Sequence, residues 1–262
     1  MTVVFGAIAP HGDPAFVEGS PTRLAFEELG RRMERLAPEV TVVFTPHNVH
    51  VEGAFGVVTA ATIGGSLDEP AIHLERPVDR ELATSVLDAL RAAGLPAVGI
   101  SYGSNDESLA VMPMDWGTLI PLSFLGGGED RPRPVVVVSP ARDVLLADHA
   151  RAGVAIASAC SGRRAAVVAS ADHGHAHDPE GPFGFDPAAA EYDARVVELV
   201  RENRLGNVDD LESIVQAASA DSLWQLVLLH GALGDEFEVE LLSYERPTYF
   251  GMLCAAFEPR EP

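Results

Sequence analysis

The chain contains no lysine. Its 18 basic residues are all arginine, set against 39 acidic ones, and the formal net charge over 262 residues is -21. Without lysine there is no Walker-type phosphate loop, no Schiff-base chemistry and no lysine general base. So acidic a chain has no basic face for phosphates, which argues against nucleic acid and anionic membrane surfaces as partners. The missing lysine itself fits a GC-rich genome or a salt-adapted source. Long hydrophobic runs are also missing: Asp, Arg or Gly interrupts each apolar stretch before the roughly 18 residues that a bilayer span needs. Residues Met1 to His11 carry no basic leader and read directly as a strand, so no signal peptide is expected. Cysteine is scarce. Cys160 and Cys254 sit in small apolar surroundings, make no disulfide framework, and read as buried free thiols in the reducing cytoplasm.

What is present describes a globular chain. With 47% hydrophobic and 22% charged residues, it can bury a full core and is not disordered. Short runs rich in Val and Ala, at 2–8, 40–44, 97–100, 135–138 and 165–169, have the length of buried strands. Amphipathic stretches lie between them, at 22–36, 79–93, 143–159 and 188–203. Ser20-Pro21 is an N-cap and first-turn pair for the first, and Gly94 followed by Pro96 ends the second. Two shorter helices are expected at 209–218 and 222–229, then two paired strands at 237–243 and 249–256. The loosest point is Gly126-Gly127-Gly128-Glu129-Asp130. Alternating strands and helices predict a single α/β domain over 1–262, with a mostly parallel central sheet flanked by helices.

The nine histidines are unevenly placed. His11 follows the first strand in Ala-Pro-His-Gly, and His47 and His50 follow the second in Thr-Pro-His-Asn-Val-His. His173, His175 and His177 follow the 165–169 strand in Ser-Ala-Asp-His-Gly-His-Ala-His. Ligands of parallel α/β sheets bind beyond the carboxyl ends of the strands, so these histidines can converge on one crevice. A single histidine there is more often a loop residue than a ligand. Three strand ends together favour a metal, since neutral imidazole suits Zn and Fe. The 173–177 run could also be a metal-binding tract in itself. His73 and His149 stand in polar contexts and read as surface residues. His230, at a helix end, reads as a partner of the helix dipole.

In order and spacing, several motifs resemble the class III, LigB-type extradiol ring-cleavage dioxygenases. They are Ile8-Ala9-Pro10-His11-Gly12, Thr45-Pro46-His47 with Val51-Glu52-Gly53, Met114-Asp115-Trp116-Gly117-Thr118, Ser170-Ala171-Asp172-His173-Gly174-His175, His230-Gly231-Ala232-Leu233 and Pro247-Thr248-Tyr249-Phe250-Gly251. The resemblance implies His11 and His47 as metal ligands, with His50 as fallback for the second. It implies His175 as the catalytic acid/base, with Asp172 as its orienting partner. His173, His177, His50 and Trp116 become candidates for substrate contact. The third ligand, usually a Glu leading into the Gly-Ala-Leu turn, falls on Ser222, which cannot replace a carboxylate. Asp221 is expected instead, with Glu245 as the rival. Trp116 stands where many relatives have a substrate-binding histidine. Its indole offers only a donor but can stack on a ring.

The implied cofactor is Fe(II), with Zn or Mn as alternatives. The implied partners are a small aromatic diol and O2, in a homo-oligomer. Competing readings are a zinc-dependent hydrolase on the same ligands, a non-enzymatic Memo-like relative, and a degenerate partner subunit. Arg142 or Arg246 could bind a substrate carboxylate, although surface ion pairs are the favoured reading of both.

Overall fold

A computed structural model describes residues 2–127 and 132–260. Residues 128 to 130 of the glycine-rich stretch lie outside the described residues. Eleven strands and six α-helices are described. The strands are β1 (Val3–Ala9), β2 (Val40–Phe44), β3 (Phe55–Val58), β4 (Thr62–Leu67), β5 (Ile72–Pro77), β6 (Ala97–Ile100), β7 (Val111–Pro113), β8 (Val135–Ser139), β9 (Ala165–Ser170), β10 (Phe237–Glu245) and β11 (Met252–Pro259). The helices are α1 (Pro21–Leu36), α2 (Arg80–Ala92), α3 (Trp116–Leu125), α4 (Leu146–Ala159), α5 (Pro187–Arg201) and α6 (Leu223–Leu233).

Eight strands form one sheet in the order β10-β11-β1-β9-β2-β8-β3-β6. Its centre, β1-β9-β2-β8, is parallel throughout. β11 joins β1 antiparallel, β10 joins β11 antiparallel, and β8 meets β3 antiparallel. The four central strands are buried along their whole length. That is why they read as continuous apolar runs rather than alternating ones. A second sheet, β5-β4-β7, packs beside α3.

Helix ends follow local chemistry. Ser20, Asp79, Asp115 and Asp186 each accept a hydrogen bond from a first-turn backbone N–H. These bonds satisfy donors that have no partner within the helix. α6 is buried on nearly all sides. It packs on α4 at very short range: a Cβ on Gly153 would lie 2.2 Å from the Leu228 carbonyl oxygen, and one on Gly231 would lie 2.2 Å from that of Ala150. Reciprocal glycines therefore set the distance between the two helices.

Two expectations are corrected, and four elements were not expected. Residues 209–218 do not form an α-helix. A 3-10 helix spans Leu205–Leu211 and turns follow it. The Ala218 carbonyl there accepts from the backbone N–H groups of His175 and Ala176. His149 is not on the surface. It is fully buried, edge-on to Phe55, with Nδ1 bonded to the Leu145 carbonyl four residues back. Finally, β3, β4, β7 and α3 were not anticipated. β4 holds Gly64-Gly65, a pair that strand patterns disfavour. A Cβ on Gly65 would lie 2.8 Å from the Met114 carbonyl oxygen, so the close passage of chain requires glycine.

Candidate metal centre

The four central parallel strands each send a residue over the same sheet edge. His11 comes two residues after β1, Asp172 two after β9, His47 three after β2 and Arg142 three after β8. This is the carboxyl edge, where parallel sheets open a crevice. Asp221 reaches the same place from the segment that leads into α6.

The Nε2 atoms of His11 and His47 lie 2.9 Å apart. Asp221 Oδ2 lies 3.4 Å from the first and 3.5 Å from the second. A metal bonded at about 2.1 Å to each donor would set donor-to-donor edges of about 3.0 Å at right angles and about 3.4 Å at tetrahedral angles. The observed edges all lie within about 0.1 Å of that range. Asp221 Oδ1 is buried without a hydrogen-bond partner among the described residues, and a cation would satisfy it. Two imidazoles and one carboxylate are also the donor set that leaves positions open for substrate. The residues present therefore fit a divalent metal ion.

The charges point the same way. Burial opposes a proton on His11, but the Asp172 and Asp221 carboxylates outweigh it and raise the pKa to about 9. Burial, then the charge of His11, lowers His47 to about 4. At neutral pH one proton thus sits between the two rings, where a divalent cation would hold both. Burial alone would raise Asp221. The hydrogen bond and charge of His11, with His175 and His47, instead hold it below the ordinary carboxylate value. Asp172 is pushed up to about 6, chiefly by burial.

Outer contacts fix the donors. His11 Nδ1 meets Ser170 Oγ at 2.9 Å, and its backbone N–H donates to Asp172 Oδ1 at 3.0 Å. Asp115 accepts from Thr45 Oγ1, Asn48 Nδ2 and the Thr118 N–H, which holds the Pro46–Asn48 turn that carries His47. Such partners orient ligating histidines and set their basicity.

His175 lies across from this trio. Its ring stacks on Phe250 (centroids 5.2 Å, 23° between planes) and stands edge-on to Phe183. Its Nδ1 is buried with no hydrogen-bond partner among the described residues. Asp193 secures the loop that carries His175. Its carboxylate accepts from the Gly174 N–H at 2.7 Å and the Tyr244 hydroxyl at 2.7 Å, and meets His177 Nε2 at 2.9 Å. A Cβ on Gly251 would lie 2.1 Å from that carboxylate, so only glycine lets the two chain segments close here.

Two cavities meet at the centre. One, of about 750 Å³, is lined by His50, Arg142, Gln216 and Trp224, among others. The second, of about 470 Å³, is lined by Trp116, Ile120, Tyr249 and Phe250, among others. His47, His175 and Phe183 line both.

Residues 9–255 match the family model described as the catalytic LigB subunit of aromatic ring-opening dioxygenase. The chain belongs to the LigB family. A curated relative, Protein CA_C1420 of Clostridium acetobutylicum, is 24% identical over 235 residues, covering 86% of this chain and 49% of that protein. The LigB-family chain thus spans about half the length of that relative. In fold it resembles a solved structure, the uncharacterized protein JW3007 of Escherichia coli K12, with a TM-score of 0.68 at 17% identity. The match covers 97% of this chain and 99% of the other.

Of the residues the LigB resemblance singles out, His11, His47 and Asp221 are brought together. Glu245 is elsewhere: its Oε1 accepts from the Thr22 N–H at 2.8 Å, at the first turn of α1. Asp172 bonds His11, and no hydrogen bond joins it to His175, which corrects its expected role as partner of His175. His173 and His177 are also corrected as substrate contacts. Both are buried and line neither cavity. His173 Nδ1 meets Ser222 Oγ, itself 3.0 Å from the Tyr192 hydroxyl, and His177 meets Asp193. His50 lines only the larger cavity, and Trp116 only the smaller, where its ring lies 4.6 Å from that of His47. Neither cysteine lines either cavity.

The sequence reading missed Asp193, and it gave no role to Asp115 or to the aromatic wall of Phe183, Tyr249 and Phe250, although Asp115, Tyr249 and Phe250 stand in its motifs. One signal was available for Asp193: it shares the apolar face of α5 with Ala189, Val196, Val197 and Val200, where a carboxylate must be answered by buried donors. No described helix is long and apolar enough to cross a membrane.

Proposed function

We propose that the protein is an Fe(II)-dependent extradiol dioxygenase that opens a catechol-type ring with O2 and forms a ring-opened semialdehyde. One observation carries the reading: His11, His47 and Asp221 converge at the junction of two cavities, and His175 faces that junction. Family membership supports a ring-opening dioxygenase in general terms. The diol and iron are our assignment.

When bound to the three ligands, Fe(II) would supply the redox chemistry that lets a closed-shell diol react with O2. The protein's own residues do the rest. His175 takes a proton from a diol hydroxyl and returns it as the ring opens, a two-way task suited to imidazole. Its Nδ1 has no hydrogen-bond partner among the described residues, so no structural bond through that atom holds the ring. Phe250 and Phe183 hold the imidazole in place by ring contacts. With Tyr249 they give an aromatic ring an apolar wall and keep water away from the reacting carbons. Trp116 adds an indole face beside His47.

The test is direct. Protein reconstituted anaerobically with Fe(II) is offered a panel of catechols in the presence of O2. A yellow ring-fission product, with one O2 consumed per ring opened, is expected. Silence across the panel, with tight zinc retention, would replace this reading with a zinc hydrolase.

A further inference from the structure

Helix α5 contributes no residue to the lining of either cavity, yet two of its consecutive residues are tied to both halves of the site. Tyr192 and Asp193 are 0% and 1% exposed, on a helix face otherwise built from Ala, Val and Leu. Neighbours on a helix point roughly 100° apart, so the two reach different segments. The Tyr192 hydroxyl lies 3.0 Å from Ser222 Oγ, and Ser222 directly follows the ligand Asp221. Asp193 Oδ1 accepts from the Gly174 N–H at 2.7 Å, and Gly174 directly precedes His175. His173 Nδ1 closes the circuit on Ser222 Oγ at 2.9 Å.

Two further observations mark these ties as specific. Ser222 is the N-cap residue of α6, but its side chain makes no capping bond. A serine there ordinarily accepts from a first-turn N–H, as Ser20 does for α1. The Ser222 hydroxyl faces Tyr192 and His173 instead, and one donor with two lone pairs serves both. Gly174, in turn, rests directly on α5: a Cβ on it would lie 2.9 Å from the Ala189 carbonyl oxygen. The other oxygen of Asp193 is fixed by Tyr244 at 2.7 Å and His177 at 2.9 Å. The third ligand and the acid/base thus come from separate segments of chain but are referred to one helix.

We infer that Tyr192 and Asp193 are positioning residues: the pair fixes the separation of Asp221 from His175, through Ser222 on one side and Gly174 on the other. The inference rests on the dioxygenase reading for its effect on turnover but not for its effect on geometry.

The test uses the full chain loaded with Zn(II), which is diamagnetic and needs no turnover. The stacking of His175 on Phe250 gives its ring protons a ring-current shift that NMR reads, and His175→Gln assigns the signal. Asp193→Ala is expected to move that signal toward its ordinary position while Zn(II) affinity stays at the parental level. Asp193→Asn keeps an acceptor for the Gly174 N–H and turns an amide toward Tyr244 and His177, both able to accept, so it restores most of the shift. Tyr192→Phe leaves the signal in place but weakens Zn(II) in chelator competition by about three- to tenfold, the size of one lost hydrogen bond. In Fe(II)-loaded protein, Asp193→Ala lowers kcat on a catechol by about tenfold with little change in KM, as a misplaced reacting group does. An unmoved His175 signal in Asp193→Ala, or unchanged metal affinity in Tyr192→Phe, would overturn the assignment. So would equal losses of metal affinity and kcat in Asp193→Ala, or an Asn variant as impaired as the Ala one, since either marks a general loosening of the fold. Tyr192→Phe removes a single oxygen and decides the matter if Asp193→Ala does not fold. If the parent cleaves no catechol, the dioxygenase reading fails, and the NMR and chelator results still decide the positioning.

Discussion

At the scale of single residues, the centre separates holding from reacting. His11, His47 and Asp221 are tied to one another and to Ser170, Asp172 and Asp115 through neighbours. His175 is held by aromatic faces and has a ring nitrogen with no hydrogen-bond partner among the described residues. The two groups should therefore fail separately. His175→Ala is expected to keep its iron, as read by metal analysis, while turnover falls by about 100-fold or more, the size of a lost acid/base group. Retention of near-normal O2 uptake in that variant would remove His175 from the chemistry. Asp172 teaches a related lesson. Its place two residues after a strand pointed to the site, but which neighbour it would touch was set by the backbone of His11, on a different strand. Sequence spacing carries no information about a contact between residues 161 positions apart.

At the scale of elements, the helix that delivers Asp221 is set by a backbone contact. Gly231 on α6 and Gly153 on α4 allow the two helices to meet with no side chain between them. Gly231→Ala must push α6 away from α4 and carry Asp221 off the imidazoles. A cost of roughly 1–3 kcal/mol is expected for such overpacking, read as a drop of several degrees in melting temperature and a weaker hold on the metal in chelator competition. If the variant bound metal as the parent does, α6 would not be what positions the ligand. This scale was the most legible in the sequence. The buried strands β1, β2, β8 and β9 and the edge strand β6 announced themselves as runs of Val, Ile and Ala, and α1 and α2 by their caps. What stayed hidden had physical cause. β4 is built on glycines that a tight crossing demands, and α3 is apolar around its whole circumference with Pro121 inside it, so it shows no amphipathic period. The 209–218 stretch has its Ala218 carbonyl engaged by the backbone of another loop, which a local reading has no means to see.

At the scale of the whole molecule, the centre's charge is coupled to stability. His11 rises from 6.5 to about 9 on folding. A raised histidine contributes stability in full below the unfolded value, and that contribution is lost as pH climbs through the folded one. His47 is lowered to about 4 and Asp172 raised to about 6, so neither titrates between 6.5 and 9. The metal-free protein is therefore expected to lose melting temperature across that window. The metal-loaded protein, in which the cation replaces the proton, is expected to hold level. A flat metal-free profile would show that the proton between the imidazoles is not as firmly held as the geometry implies. The sheet order has a further consequence, in time rather than space. β1 comes before all the other described strands in sequence order, yet its two neighbours are β9 and β11, at residues 165–170 and 252–259. The strand that presents His11 thus waits for β11 before both its edges are paired, and Phe250 arrives just ahead of that second partner. A ribosome-bound chain short of β11 has neither the fixed histidine nor the aromatic wall behind His175. Metal capture accordingly belongs after β11 has paired with β1, as a late event in folding.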